Sequence, residues 1–366
     1  MERISGRQII LIGSIWVMDS TLISLPAQMV RFAKQDAWLS LIMVAAIIAL
    51  VLWCLSKVHK RFPNQDLYDA LITRWPRAGK AVVFIYVLFF AVILIRDIRT
   101  ITDFINVSLL QLTPLWIITA LLLYFINKLV SGGIEVIARM IEFFIPSFYF
   151  ILLLVPALSY KEFDLSRLGP VFEFEWYGMA TAGWYSFSYI GEIIGISFMY
   201  SNATLQFRHG LASLLIGVLL LSGVLWTLLL ILGTDLMPHL TYPVYELVRQ
   251  VKVTDFLDRF EIPMVAIYFP TMFVKIGFSL YLVCHGMNRL MPRVPIDSVV
   301  PAVGILVYVC SFWFFRDAVQ LIDFNREWTA LAIWPELILP IFLSLFLRPK
   351  QKQTRPEQQQ EIKPDT

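Results

Sequence analysis

About ten apolar segments, each near the length that crosses a bilayer, follow one another along this chain of 366 residues. A helix needs roughly 20 apolar residues to span the hydrocarbon core. The segments are 9–30, 38–55, 81–110, 114–127, 134–158, 177–200, 209–232, 264–288, 298–315 and 329–347. Only 16% of the residues are charged, whereas a soluble domain carries about 25%. We therefore predict an all-α membrane protein with about ten transmembrane helices.

Lys and Arg in the loops predict the orientation of these helices. If the N-terminus is cytoplasmic, the inner loops hold more Lys and Arg than the outer loops. The positive-inside rule then places both termini in the cytoplasm, which requires an even number of spans. Residues 1–348 form one predicted transmembrane domain. Residues 349–366 are polar and Gln-rich, which predicts a disordered cytoplasmic tail.

A weak internal repeat divides the transmembrane domain into two halves. The pattern Pro-x-x-acid-Leu occurs at 63–67, between the second and third segments, and at 243–247, between the seventh and eighth. Each copy begins an amphipathic pattern typical of a helix start. Because each half holds five spans, the second repeat (about 177–348) is predicted to be inverted relative to the first (about 9–158). The pattern is short, so a chance match is the alternative.

Polar residues interrupt the first segment of each half. Asp19, Ser20 and Thr21 lie near the middle of the first segment, and Gly191 and Glu192 lie inside the sixth. Interrupted helices at matching positions of two inverted halves point to the substrate site of a transporter. We therefore predict helix breaks and a small-molecule site in the first and sixth spans.

The order of spans, breaks and connectors resembles the amino acid–polyamine–organocation (APC) superfamily, whose LeuT-like fold is a 5+5 inverted repeat. Within it, the chain resembles the B subunits of GerA-type spore germinant receptors. The matching residues are 4–8 (ISGRQ), 112–114 (LTP) and a pattern in the fifth span: Gly133, Glu135, Ala138, Arg139 and Glu142. The resemblance implies a germinant receptor subunit in the inner membrane of the spore. It also implies A-type and C-type receptor subunits as partners and an amino-acid-like germinant as ligand.

The predicted ligand site lies between spans 1, 3, 6 and 8. Charged residues at membrane depth are costly, so each is a functional hypothesis by default. The candidate ligand-binding residues are Asp19, Ser20, Thr21, Arg96, Trp184, Ser186, Phe187, Ser188, Gly191, Glu192 and Lys275. Two structural alternatives remain: Asp19 caps a half-helix, and the small residues of the sixth span form a helix interface.

Several of the buried charges have more than one predicted partner. Lys275 either occupies the place of a coupling sodium ion or pairs with Glu192 or Asp19. Glu192 either holds a proton or pairs with Lys275. In the third span, helical spacing makes a polar stripe that lines an outer vestibule, binds a neighbouring span or forms an internal salt-bridge network. The residues of this stripe are Arg96, Arg99, Asp103 and Asn106.

In the fifth span, Glu135, Arg139 and Glu142 are spaced to pair along one helix face. Because the resemblance includes these three residues, they are predicted to form a structural lock or gate on the inner side, not a ligand contact.

Three functions agree with these patterns. The first is germinant sensing coupled to partner subunits. The second is secondary transport of amino acids, with proton coupling through Glu192 or Asp19, and the third is a conduit for ions or water. An enzyme is not expected, since the four histidines are widely separated and no metal spacing, P-loop or GxSxG is present. No cofactor, metal or nucleic-acid partner is predicted. Membrane lipid is a predicted partner.

Overall fold

The chain folds into helices over the residues that the computed structural model describes, 4–169, 175–199, 206–250 and 261–349. Residues 350–366 of the predicted tail lie outside this part. In the described part, the α-helices are α1 (Gly6–Ala33), α2 (Ala37–Arg61), α3 (Leu67–Arg74), α4 (Ala78–Ser108), α5 (Leu115–Ser131), α6 (Ile134–Leu158), α7 (Trp176–Ile190), α8 (Phe207–Leu236), α9 (Pro243–Gln250), α10 (Glu261–Leu290), α11 (Ile296–Phe314), α12 (Ala318–Ile333) and α13 (Leu339–Phe346).

The outer surface of the helix bundle is apolar. Among the described residues, seven helical segments are long and apolar enough to cross a membrane, and α5 is a shorter apolar helix. Large apolar side chains such as Phe143, Leu219 and Trp313 are exposed on the surface of the bundle. Extensive exposed apolar area is typical of a surface that contacts lipid. The chain is therefore an integral membrane protein, and the count of ten spans stays a prediction.

The first span is one continuous helix, so the predicted break at Asp19 is wrong. A capping box begins α1: Gln8 N donates to Ser5 Oγ at 3.2 Å, and Ser5 N donates to Gln8 Oε1 at 2.8 Å. The polar residues near its middle do not interrupt the backbone. Thr21 Oγ1 donates to the carbonyl of Val17 at 2.6 Å, a bond within the helix.

The sixth span is interrupted where the sequence predicted. α7 gives way at Gly191 to a 3₁₀ helix, Gly191–Phe198, named here the tight segment. Runs of 3₁₀ helix longer than three or four residues are uncommon and often mark a hinge or strain. Two glycines allow close contacts, because a Cβ on Gly191 would meet the carboxyl group of Glu336 and one on Gly195 would meet the ring of Trp16.

The two predicted connector helices are present. α3 lies between α2 and α4, and α9 lies between α8 and α10; each has eight residues. Asp66 caps α3 by accepting a hydrogen bond from Asp69 N at 2.8 Å. α3 contacts α4, α10 and the tight segment, and α9 contacts α1, α8 and α10. Both copies of the Pro-x-x-acid-Leu pattern therefore coincide with short helices at matching places in the chain.

α1 lies at the centre of the bundle. It packs against α6, α7, α8, α10 and the tight segment, and α10 packs in turn against α4 and α6. As a result, α1, α4, the tight segment and α10 meet in the interior. These elements correspond to the first, third, sixth and eighth predicted spans.

Candidate functional site

Four charged side chains meet where α1, α4, the tight segment and α10 come together. Arg96 Nη2 lies 3.0 Å from Asp97 Oδ1 and donates to Glu192 Oε1. Lys275 Nζ lies 3.1 Å from Asp97 Oδ2 and 3.0 Å from Glu192 Oε2. Each cation therefore contacts both carboxylates, which closes the ring of ion pairs. We call these four residues the four-charge cluster.

The four-charge cluster is buried and electrically balanced. None of the four side chains is more than 1% exposed. Two positive and two negative groups leave no net charge in the ring. Moving each charge out of water costs several kcal/mol, and only complete pairing offsets that cost. The four residues therefore depend on one another, and the loss of any one leaves a buried charge unbalanced.

Aromatic side chains enclose the cluster. Trp16 Nε1 donates to Glu192 Oε2 at 3.1 Å, and the ring of Phe278 packs edge-on against Trp16 at 4.5 Å. The ring of Tyr189 lies 4.4 Å from the Arg96 guanidinium, a distance suited to a cation–π interaction. Gly195 leaves the space that the Trp16 ring occupies. Apolar walls around a few polar groups are typical of small-molecule sites.

Asp19 is buried on α1 beside α10. Thr271 Oγ1 donates to Asp19 Oδ1 at 3.1 Å, and Tyr268 Oη donates to the backbone carbonyl of Asp19 at 2.7 Å. Asp19 Oδ2 has no hydrogen-bond partner among the described residues. Because α1 continues through this residue, Asp19 does not cap a half-helix. It retains one free acceptor in the interior.

The polar residues of α7 hold it against α12. Thr329 Oγ1 donates to Ser188 Oγ at 3.1 Å, and Trp184 Nε1 donates to the carbonyl of Arg326 at 3.0 Å. Ser186 Oγ donates to a carbonyl of its own helix at 3.1 Å. These bonds correspond to the predicted helix interface. They also place Ser188 at the buried contact of two helices.

The structure brings part of the predicted ligand set together. Arg96, Glu192 and Lys275 are in direct contact, and Gly191 immediately precedes Glu192. The other described members lie on α1 and α7: Asp19, Thr21, Trp184, Ser186, Phe187 and Ser188. The side chain of Ser20 lies outside the described residues. Ligand contact by any of these residues stays a prediction.

The predicted polar stripe of the third span divides into separate contacts. Arg99 pairs with Asp103 at 2.9 Å and donates to the carbonyls of Phe315 and Arg316 at 2.8 and 3.0 Å. These carbonyls follow the end of α11, where backbone acceptors lack helical partners. Asn106 donates to carbonyls of the loop after α4. Arg96 and Arg99 thus form internal ion pairs, and Arg99 also binds the neighbouring span, whereas Asn106 bonds only to backbone carbonyls.

The predicted lock in the fifth span is only partly buried. Arg139 lies 3.7 Å from Glu135, and its side chain is 77% exposed, so this pair contributes little stability. Glu142 Oε2 accepts a hydrogen bond from Gln8 Nε2 at 3.1 Å. That bond joins α6 to the first turn of α1. Glu142 therefore links its helix to another one.

Two acids of the interior, Asp97 and Glu336, were not among the predicted site residues. Asp97 completes the four-charge cluster. Glu336 lies in a π-helical turn, Trp334–Ile338, between α12 and α13, and is fully buried against Gly191. Both are acids within apolar segments, which is the signal that identified Glu192 and Asp19. That signal could have found them.

Two small cavities adjoin residues that contact Asp19 and Arg96, and a wider one lies at the end of α10. Small cavities of about 20 and 10 Å³ are lined by Tyr268 and by Tyr189, the residues that contact Asp19 and Arg96. A wider cavity of about 430 Å³ lies at the end of α10, near the starts of α6 and α11, and is lined in part by His285 and Arg289. The cluster itself is closed by its own ion pairs and aromatic walls.

Sequence comparison gives related proteins over nearly the whole chain. The family model described as "Spore germination protein" matches residues 3–319. The putative spore germination protein YfkT of Bacillus subtilis (strain 168) is 30% identical over 353 residues, covering 96% of this chain and 98% of that protein. Spore germination protein KB of the same organism is 23% identical and covers 99% of both chains.

Solved structures of transporters share the fold. Mhp1, a nucleobase-cation-symport-1 family transporter with bromovinylhydantoin bound, superposes with a TM-score of 0.63 at 14% identity, covering 91% of this chain and 77% of the transporter. A Na⁺-coupled sialic acid symporter gives 0.60 at 12% identity, covering 92% and 79%. At such identities the likeness concerns the fold alone, which is the LeuT-like fold that the sequence predicted.

Proposed function

The chain belongs to the spore germination protein family, and we propose that it is the membrane-embedded germinant-sensing subunit of a spore germination receptor. It binds a small molecule, an amino acid in the first instance, between spans 1, 3, 6 and 8. Binding changes the arrangement of the broken sixth span, and partner subunits respond to that change. The partners are A-type and C-type receptor subunits, and the location is the inner membrane of the spore, with both termini cytoplasmic.

The four-charge cluster is the observation that carries this proposal. It stands at the junction of the four expected spans and contains two cations and two carboxylates. An amino acid brings one carboxylate and one ammonium group. Its carboxylate can therefore pair with Arg96 or Lys275, and its ammonium group can pair with Asp97 or Glu192. No buried charge is then left unbalanced. A ligand with a single charge cannot do so.

The closed cluster supports a two-state mechanism. In the closed state each charge already has internal partners, so a ligand enters only when those ion pairs separate. The tight segment carries Glu192 and is joined to α7 at Gly191, so movement at this glycine opens the ring. A ligand shifts the equilibrium only by its difference in affinity for the two states. In this mechanism the amino acid binds the open arrangement more strongly.

A ligand panel tests the proposal on the purified full-length protein in lipid bilayers. We expect one or more amino acids to raise the unfolding temperature. The corresponding amines and carboxylic acids, which lack one of the two charges, should have no effect at equal concentration. Stabilisation by a bound ligand grows with its concentration relative to Kd, so the effect must be dose-dependent.

A matched pair of tryptophan variants locates the effect. Ser188→Trp should abolish both the ligand-induced shift and the germinant response, because Ser188 contacts Thr329 inside the bundle. Leu219→Trp adds the same ring to a residue that is 73% exposed and should change neither. A normal dose–response in Ser188→Trp, at normal protein level, would contradict the proposed site.

Secondary transport of amino acids is the alternative function. The fold similarity to transporters, with a TM-score of 0.63 in one case, favours it as a second candidate. Fold alone does not decide between sensing and transport. The same four-charge cluster would serve as the substrate site in either case, and uptake measurements distinguish the two.

A further inference from the structure

In the part of the chain that the structure describes, no counter-charge contacts the buried acid Glu336. It lies in the π-helical turn Trp334–Ile338 and is 0% exposed. Among the described residues, neither of its carboxyl oxygens has a hydrogen-bond partner. The free-energy cost of burying an isolated carboxylate in an apolar interior is very high. The cost of burying a neutral carboxylic acid is far lower. π-helical turns occur frequently at functional sites.

The surroundings of Glu336 contain few charges. The tight segment presents Glu192 and α4 presents Arg96, the two charged groups whose fields reach Glu336. α4 also carries Tyr86, whose hydroxyl donates to the carbonyl of Pro335 at 3.1 Å. α13 has no ionisable residue. The charged residues of α12 are exposed; these are Asp323, Arg326 and Glu327.

α2 also contacts the π-helical turn but offers no free cation to Glu336. Lys57 lies over the ring of Trp53 at 3.2 Å, and Arg61 donates to carbonyls at the end of α13. The other ionisable residues of α2 are Cys54, His59 and Lys60. Of these, Lys60 is exposed. The charged group that interacts with His59 is Asp66.

Arg96 has one hydrogen-bond donor that is not used in the four-charge cluster. Its Nη2 contacts Asp97 and Glu192, and its Nε donates to Asp97 at 3.3 Å. Its Nη1 is buried and has no hydrogen-bond partner among the described residues. Among the described residues, Arg96 thus has an unsatisfied cationic donor next to Glu192, and Glu336 has an unsatisfied carboxyl group next to Gly191, the residue before Glu192. Gly191 leaves the space in which the carboxyl group lies.

We propose that Glu336 is a proton-binding site of this protein, with Arg96 as the counter-charge that it acquires when the proton leaves. In the closed arrangement Glu336 is a neutral acid. On release, the O–H bond breaks, its electron pair stays on the carboxylate, and the proton passes to water. Arg96 stays protonated and turns its free Nη1 toward the new carboxylate. No other reactant is needed.

This proton site acts on the break in the sixth span. When Arg96 turns toward Glu336, its hold on Glu192 weakens, and Glu192 belongs to the tight segment. Proton release from Glu336 therefore favours opening of the four-charge cluster, and proton uptake favours its closed form. The inference goes beyond germinant sensing and does not depend on it, because proton occupancy of Glu336 can be measured without any ligand.

Infrared spectroscopy tests the protonation state directly. A protonated carboxylic acid has a carbonyl stretch that a carboxylate lacks, and carboxyl-¹³C glutamate shifts this band for Glu but not for Asp. In the described part of the chain, the buried glutamates are Glu192 and Glu336, and Glu192 is ion-paired. We expect the full-length protein in lipid bilayers to show an isotope-shifted band at neutral pH.

Variants then assign the band. Glu336→Gln should remove it, whereas the matched control Glu327→Gln, at an exposed position of α12, should retain it. Absence of the band in the unaltered protein would overturn the proposal. Its persistence in Glu336→Gln would do the same, since another glutamate would then carry the proton.

The role of Arg96 has its own measurement. As the pH is raised, the band should disappear around a midpoint, and Arg96→Gln should raise that midpoint by about one pH unit or more, the usual effect of removing a nearby opposite charge. Arg96→Lys, which retains the charge but has one nitrogen, should raise it less. If Arg96→Gln does not accumulate, the Lys variant alone suffices. An unchanged midpoint in either variant removes Arg96 from the mechanism.

Discussion

Lys275 shows how far a single buried charge depends on its neighbours. Its ammonium group contacts Asp97 at 3.1 Å and Glu192 at 3.0 Å, and its side chain has no exposed area. At the residue scale, the four-charge cluster is therefore one unit and not two independent pairs. Such a unit specifies how α4, α10 and the tight segment pack together. It does not by itself make the protein more stable, because a well-packed apolar core can be equally stable.

Removal of the Lys275 charge should destabilise the protein strongly. Lys275→Met leaves one cation and two carboxylates in the interior, which should cost roughly 3–5 kcal/mol. We expect a lower unfolding temperature and a lower amount of protein in the membrane. The double variant Lys275→Met with Glu192→Gln restores the charge balance and should recover much of the loss.

The control for this prediction is Lys128→Met, at an exposed position of α5, which should have almost no effect. If Lys275→Met and Lys128→Met have the same unfolding temperature, the four-charge cluster does not stabilise the fold. If the double variant is less stable than the single one, charge balance is not the reason for the loss.

At the element scale, the connector helix α3 is fastened to α10 by polar contacts. His285 Nε2 lies 2.7 Å from Asp66 Oδ2, and Arg289 Nη2 lies 2.9 Å from Asp69 Oδ2. Burial opposes the charge of Asp66, but the hydrogen bond and charge of His285, the N–H of Asp69 and the charge of Arg289 outweigh it. The pKa of Asp66 is therefore below its usual value of 3.8.

Asp66→Asn should loosen α3 without removing its cap, since Asn is as good an N-cap as Asp. Loss of this hydrogen bond to a charged group should lower the free energy of local unfolding by ~2 kcal/mol. The equilibrium constant for local opening then rises roughly thirty-fold. Amide hydrogen exchange of α3 and of the end of α10 should accelerate by about that factor. Asp323→Asn, at an exposed position of α12, serves as the control and should leave this exchange unchanged.

The pH dependence of this contact has a definite sign. Because the pKa of Asp66 is lowered in the folded protein, its contribution is present above the unfolded pKa and is lost as the pH falls through the lowered value. The protection of α3 that depends on Asp66 should thus persist at neutral pH and decline only in acid below pH 3.8. Loss of that protection already near neutral pH would contradict the assignment to Asp66.

At the scale of the whole molecule, a fold shared with transporters surrounds the four-charge cluster, whose positive and negative charges balance. The fold similarity to transporters extends over more than nine-tenths of the chain. The junction of the four spans is occupied by the protein's own cations and carboxylates, and the cavities beside it are only about 20 and 10 Å³. Such a centre suits a switch that a ligand opens.

Uptake by reconstituted liposomes separates sensing from transport. We expect the full chain alone to bind an amino acid without concentrating it inside the vesicles, so the retained amount should not exceed one ligand per protein site. Liposomes with the Ser188→Trp variant give the background. Robust concentrative uptake would refute the sensing-only function and favour the secondary transporter, while the proton site at Glu336 would stay open to its own test.

The span order, the connector helices and the interruption of the sixth span could all be predicted from local patterns. Hydrophobic runs, a proline followed by an acid, and glycines next to polar residues act within one segment, where the energetics depend on near neighbours in the chain. The break predicted in the first span failed for a related reason. Polar residues alone do not break a helix when their side chains bond within it or to a neighbouring helix, as Thr21 and Asp19 do.

The sequence by itself determined an all-α membrane protein, the positions of its interrupted sixth span and its connector helices, and the charges that cannot face lipid. Only the tertiary structure decided which partners these charges have: Lys275 meets Asp97 and Glu192, and Arg99 meets carbonyls at the end of α11. Glu336 has no hydrogen-bond partner among the described residues. The physical reason is that the cost of a buried charge can be read from one segment, whereas its compensation comes from residues far apart in the chain, through packing that no local pattern specifies.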